Sequence, residues 1–130
     1  MKKDNKSISY TAVVLDDDSR EKLIGMFNTP EGWEVLCHHM TINMGPAKEP
    51  VAEMVGRTAS LIVDSVAIDY EIGVIAAGVI TEVPSKNDVK HITVAVNRAS
   101  GAKPFHSNKL KNWVPVKEVE LSGKIMEVPQ

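Results

Sequence analysis

Two stretches of this chain alternate apolar and polar residues so regularly that each is held to a β-strand with one buried face. Residues 34–44 place Leu36, His38, Met40, Ile42 and Met44 on one side and Cys37, His39, Thr41 and Asn43 on the other. Residues 90–96 place Ile92, Val94 and Val96 on one side and His91, Thr93 and Ala95 on the other. Side chains alternate across a strand, so residues two apart share a face. The mostly apolar sets belong in a core. His39 and Thr41 are then neighbours on one working face, and His91 and Thr93 on another. The same parity selects His39 over His38, which it assigns to the core or an interface.

The two strands carry one phrase, His-apolar-Thr-apolar, as His39-Met40-Thr41-Ile42 and His91-Ile92-Thr93-Val94. The repeat suggests two half-domains that bring their motif strands together. An imidazole serves as acid or base near neutral pH. A threonine hydroxyl can donate to the non-bridging oxygens of a phosphate as charge builds there. A phosphodiester needs one group to deprotonate the attacking oxygen and another to protonate the leaving one. Two imidazoles and two hydroxyls on adjoining strands are such a set. The sequence does not say which histidine is the base.

Other chemistries fit less well. His38 and His39 point to opposite faces if the strand is regular, so they do not share a metal. Cys37 lies on the His39 face, but strand neighbours two apart are too distant for a ready Cys–His pair. No metal or cofactor is expected. Lys103 and Ser107 can contact a phosphate, with Ser107, next to His106, also suited to cap a short helix. Tyr10 and Trp113 can stack on a base, although core packing suits Trp113 better. Tyr10, Lys103 and Ser107 are the candidate substrate-binding residues.

The remaining segments read as α+β with antiparallel sheet and few helices. Residues 7–15 form a buried strand. Asp16-Asp17-Asp18 suits a helix N-terminus, with Asp18 and Glu21 at capping-box spacing and Leu23, Ile24 and Phe27 as the apolar stripe. Residues 28–32 turn, Gly45-Pro46 breaks the first motif strand, and residues 51–55 form a helical turn. Residues 57–65 and 66–83 read as two or three strands with a turn near Asp69 or Gly73. Residues 84–88 are a polar turn and 99–104 a loop. Ser107 starts a short helix to Trp113. Residues 116–128 form a last strand, or a hairpin around Gly123. Residues 1–6 read as a flexible polar terminus.

With 130 residues, 43% of them hydrophobic, the chain suits a single domain over residues 1–130 with one modest core. A net charge of -2 argues against a long duplex-binding surface but leaves room for a small nucleotide in a local pocket. One cysteine excludes an intramolecular disulfide and fits a reducing, cytoplasmic setting. No signal peptide is visible. The most apolar region, residues 60–80, is interrupted by Asp64, Asp69 and Glu71 and reads as strands rather than a membrane span.

The paired phrases resemble the 2H phosphoesterase superfamily, which includes LigT-like RNA ligases and cyclic phosphodiesterases. The order from Tyr10-Thr11-Ala12-Val13-Val14-Leu15-Asp16 through Trp33 to His38-His39-Met40-Thr41-Ile42 is similar to small phage-encoded and RNA-repair members. Some phage relatives cleave the cyclic oligonucleotide signals of the anti-phage CBASS system. The resemblance implies a compact bilobal fold with antiparallel sheets around a central cleft. It implies catalytic roles for His39, Thr41, His91 and Thr93. No obligatory protein partner is evident in the sequence. The expected activity is metal-independent cleavage of cyclic nucleotides, cyclic oligonucleotides or RNA 2′,3′-cyclic phosphate ends. The alternatives are 2′-5′ RNA ligation and non-catalytic nucleotide sequestration.

Overall fold

A computed structural model describes residues 7–130; the terminus expected at residues 1–6 lies outside the described residues. Seven strands form one antiparallel sheet: β1 (Ile8–Leu15), β2 (Glu34–Val35), β3 (His39–Met44), β4 (Thr58–Asp69), β5 (Val74–Ile80), β6 (His91–Val96) and β7 (Val114–Pro129). The order is β2-β6-β3-β1-β7-β4-β5, and β5 also pairs with β6. That last pairing closes six strands into a barrel, with β2 extending alongside β6. Closure removes the unpaired edges an open sheet of these strands would carry. The two halves of the chain do not form separate sheets: the motif strands β3 and β6 are neighbours in one barrel wall.

Apolar residues at alternate positions fill the barrel. Val13, Met40, Leu61, Val63, Ala77, Ile92, Val94 and Leu121 are all at most 1% exposed and belong to one cluster. A second, smaller cluster lies outside the wall. There Ala67, Val74, Ala76 and Val96 pack with Ala102 and Leu110 from the chain after β6. Two irregularities send residues to this outer layer. The β4–β5 register shifts between Val63 and Ser65, and the β5–β6 register shifts between Ile75 and Ala76. A bulge reverses which face a following residue meets. Val96, expected with Ile92 and Val94, therefore packs in the outer cluster, while Ala95 joins the barrel.

Three local expectations are corrected, and the two readings of residues 116–128 are resolved in favour of a single strand. The α-helix among the described residues, α1 (Asp17–Ile24), is capped by Asp16, whose side chain accepts from the Ser19 N–H at 2.8 Å; Asp18 lies inside the first turn. Residues 58–69 run as one strand through the expected break near residue 65. Pro104–Lys109 is a 3-10 turn entered from Lys103, so Ser107 lies within it and does not cap a helix to Trp113. β7 passes through Gly123 without turning, pairing with β1 and β4 on its two sides.

Gly123 is needed there for space rather than for a turn. A Cβ would meet the Val14 carbonyl oxygen at 2.5 Å and Val13 Cγ1 at 2.8 Å, both in the packed β1–β7 wall. Gly123→Val should destabilise the fold by about 1–3 kcal/mol, the usual cost of overpacking a tight site. Urea unfolding checks this, and an unchanged midpoint would contradict the close packing of β1 on β7.

Candidate active site

The β3–β6 pairing builds the site. Met40 faces Ile92 across the ladder, and both are wholly buried inside the barrel. In antiparallel strands this register sets His39 opposite Thr93 and Thr41 opposite His91, all four on the outer face. These residues line one cavity of about 820 Å³, joined by Tyr10 from β1 and by Lys86, Asn87 and Asn108 from flanking loops. The loop before β6 is fastened to β3: Ser85 Oγ donates to the Thr41 carbonyl at 2.8 Å, and the Lys86 N–H donates to the Ile42 carbonyl at 2.8 Å. Lys86 and Asn87 are thereby held at the rim. No carboxylate lines the cavity among the described residues.

The first motif strand is broken just before His39. Val35 pairs with Ala95, and Met40 pairs with Ile92. Five steps on one strand therefore match three on the other, so two residues are extra. The backbone takes them up at Leu36–His38, where Cys37 adopts φ 47°, a conformation uncommon for a residue with a Cβ. Hydrogen bonds hold the bulge on both sides. Leu36 and Cys37 N–H donate to the Val94 and Thr93 carbonyls at 2.7 and 3.1 Å, and the Leu15 N–H donates to the His38 carbonyl at 2.9 Å.

This bulge overturns the parity expected for residues 36–38. Cys37 is buried in the core, and burial pushes its thiol up to about 11, so it stays protonated. His38 is exposed and turned into the cavity, not into a core. Its Nδ1 lies 2.9 Å from His39 Nδ1. Asn43 and Met44 exchange their expected places: Met44 is 70% exposed, and Asn43 is buried with its Nδ2 donating to the Met44 and Pro46 carbonyls.

Three of the four catalytic candidates have defined side-chain partners. His91 is 7% exposed, and its Nδ1 lies 2.6 Å from the Val89 carbonyl. A carbonyl only accepts, so Nδ1 carries the proton and Nε2 is the basic nitrogen of the neutral ring. Tyr10 stacks on His39 at 4.6 Å between ring centroids, with its hydroxyl 3.5 Å from Nδ1. Thr93 Oγ1 lies 2.7 Å from Ser107 Oγ. The Thr41 hydroxyl has no hydrogen-bond partner among the described residues. Burial is the main cause lowering both imidazoles; for His39, the charges of His38 and His91 add to it and bring the value from 6.5 to about 4.

The substrate-binding candidates separate. Tyr10 reaches the cavity. Ser107 is buried behind Thr93 and lines a smaller adjoining cavity of about 370 Å³ with Trp113. Lys103 is exposed and lines neither; its N–H donates to His106 Nδ1 at 2.9 Å. Trp113 packs over Gly78, where a Cβ would press on its ring at 3.2 Å. Lys86 and Asn87 escaped sequence reasoning because a polar turn carries no register signal. His38 escaped it because alternation was assumed through the bulge.

The family model for the fungal tRNA ligase phosphodiesterase domain matches residues 3–129. The chain belongs to this family. The family is part of the 2H phosphoesterase superfamily, so the chain is a 2H-type cyclic phosphodiesterase by family. No curated protein matches the chain. Among the described residues no helix is long and apolar enough to cross a membrane, and no three His, Cys, Asp or Glu residues cluster as a metal site.

The lowered histidines give stability a pH dependence. His39 titrates at about 4 in the fold and near 6.5 when unfolded, so the unfolded chain binds more protons between these values. Stability is then complete above 6.5 and is lost as pH falls toward 4; His91 acts in the same direction. Thermal melts over that range should fall less steeply for His39→Gln than for the unaltered protein. Parallel declines would count against a desolvated His39.

Proposed function

We propose that the chain hydrolyses RNA 2′,3′-cyclic phosphate ends without a metal, using His39, Thr41, His91 and Thr93. The observation that carries this reading is the β3–β6 register, which gathers two imidazoles and two hydroxyls on one face of one cavity. His91, with Nε2 left basic by the Val89 carbonyl, deprotonates the attacking water. His39 protonates the leaving ribose oxygen from the other side. Thr41 and Thr93 donate to the non-bridging oxygens, with Ser107 orienting the Thr93 hydroxyl. Lys86 and the absence of a lining carboxylate favour an anionic substrate.

The match over residues 3–129 supports reading the chain as one catalytic domain. The family description favours an RNA end over a cyclic oligonucleotide of the CBASS type. A cytoplasmic setting is consistent with the lone reduced cysteine.

The test is a substrate panel: RNA with a 2′,3′-cyclic phosphate end, mononucleoside 2′,3′-cyclic phosphates, and cyclic di- and trinucleotides, with products resolved by mass. RNA ends should open to phosphomonoesters, unaffected by EDTA. His39→Ala and His91→Ala should each lower turnover by about 10²-fold or more, with an unchanged circular dichroism spectrum. Preferred cleavage of a cyclic oligonucleotide would replace the substrate assignment. Retention of the ligand without turnover would favour sequestration, and loss of activity in EDTA would overturn the metal-free mechanism.

A further inference from the structure

Burial lowers both motif imidazoles, which disfavours a second imidazolium to protonate the leaving oxygen. The cavity wall offers no carboxylic acid in its place. Two titratable rings are in hydrogen-bond contact with His39, and the nearer is His38, whose Nδ1 is 2.9 Å away with the two rings nearly perpendicular at 83°. Of two facing Nδ1 atoms, one must donate and the other accept. The Tyr10 hydroxyl stands farther from the same nitrogen at 3.5 Å, and its stacked ring holds the His39 plane.

We propose that His38 is the proton source for His39, forming a two-imidazole relay from the exposed rim to the reacting phosphate. This inference rests on the phosphodiesterase reading above. In the reactive form, His38 carries both ring protons and donates Nδ1–H to His39 Nδ1 at 2.9 Å, which leaves the His39 proton on Nε2. No other hydrogen bond occupies His39 Nε2 among the described residues. As water attacks phosphorus, its proton passes to His91 Nε2 and the new P–O bond forms. The bond to the ribose oxygen breaks, and that oxygen takes the His39 Nε2 proton. The His38 Nδ1 proton moves at the same time to His39 Nδ1, so His39 never becomes an anion. After product leaves, His91 gives its proton to solvent, His39 Nε2 is reprotonated from solvent, and the Nδ1 proton returns to His38. Protons and charge balance over the cycle.

The bulge gives this pair its geometry. In a regular strand, adjacent side chains would face away from each other. Two extra residues and the positive φ at Cys37 bring the rings together instead. The groups facing the pair are Tyr10 from β1, His91 from β6 and Lys86 from the loop before β6. Arg20 from α1 is engaged with the Leu36 carbonyl at 3.1 Å.

The test compares the unaltered protein, His38→Gln and His38→Ala on an RNA oligonucleotide ending in a 2′,3′-cyclic phosphate. Glutamine keeps a donor to His39 Nδ1 but cannot release a proton. Both variants should lose about 10- to 100-fold in kcat, at the lower end of general-acid effects, with KM unchanged. The alkaline limb of the kcat profile should disappear in both, and added imidazole should restore His38→Ala. Wild-type kcat and an unchanged pH profile in His38→Gln would overturn the relay. So would a loss that glutamine repairs, which would leave His38 a merely structural donor. Nitrogen-15 imidazole spectra of the unaltered protein should find neutral His39 protonated at Nε2; protonation at Nδ1 would overturn the relay whatever the kinetics. No turnover by the unaltered protein on any member of the substrate panel would instead overturn the phosphodiesterase reading, and the spectra would still decide the hydrogen bond.

Discussion

The antiparallel pairing of β3 with β6 is the contact on which the molecule depends. It closes the barrel, since β6 also holds β5 and β3 also holds β1. It buries Met40 against Ile92 on the inner side. By the alternation of side chains, the same register fixes His39, Thr41, His91 and Thr93 on the outer side. Core and candidate site are two faces of one ladder, so the packing that stabilises the wall also sets the separation of the proposed catalytic groups. Support from outside comes from the chain after β6, which folds back so that Ser107 meets Thr93 and Trp113 covers Gly78.

A second constraint is the two-residue bulge before His39. Holding Cys37 in the left-handed region costs roughly 1–2 kcal/mol, offset by its buried side chain and by backbone hydrogen bonds to both neighbouring strands. Such bulges commonly re-aim a side chain next to a functional site. Here the bulge turns His38 away from the core or interface position expected of it and into contact with His39. Burial, meanwhile, lowers both motif imidazoles, His39 to about 4. The site therefore has unprotonated nitrogen available and a separate, exposed ring beside it.

The repeated phrase made the tetrad legible because period-two alternation reports a face directly wherever a strand is regular. It held from Met40 to Ile42 and from His91 to Val94, where inner residues are buried and outer ones line the cavity. It failed at Cys37, His38, Asn43 and Val96, each beside a bulge or strand end where parity resets. Gly123 was ambiguous for a different reason. A glycine marks either a turn or a close approach, and only the neighbouring β1 backbone distinguishes them. Lys86 and Asn87 had no signature because a loop's target is set by its hydrogen bonds to β3.

The sequence by itself determined the strand-rich α+β class, the superfamily resemblance and the four residues that share a working face. Local alternation encodes these, because a half-buried strand sorts its side chains by polarity. Only the tertiary structure decided that the motif strands pair, that six strands close on themselves, and that His38 meets His39. Those outcomes depend on register between distant segments, and no local pattern of residues carries that register.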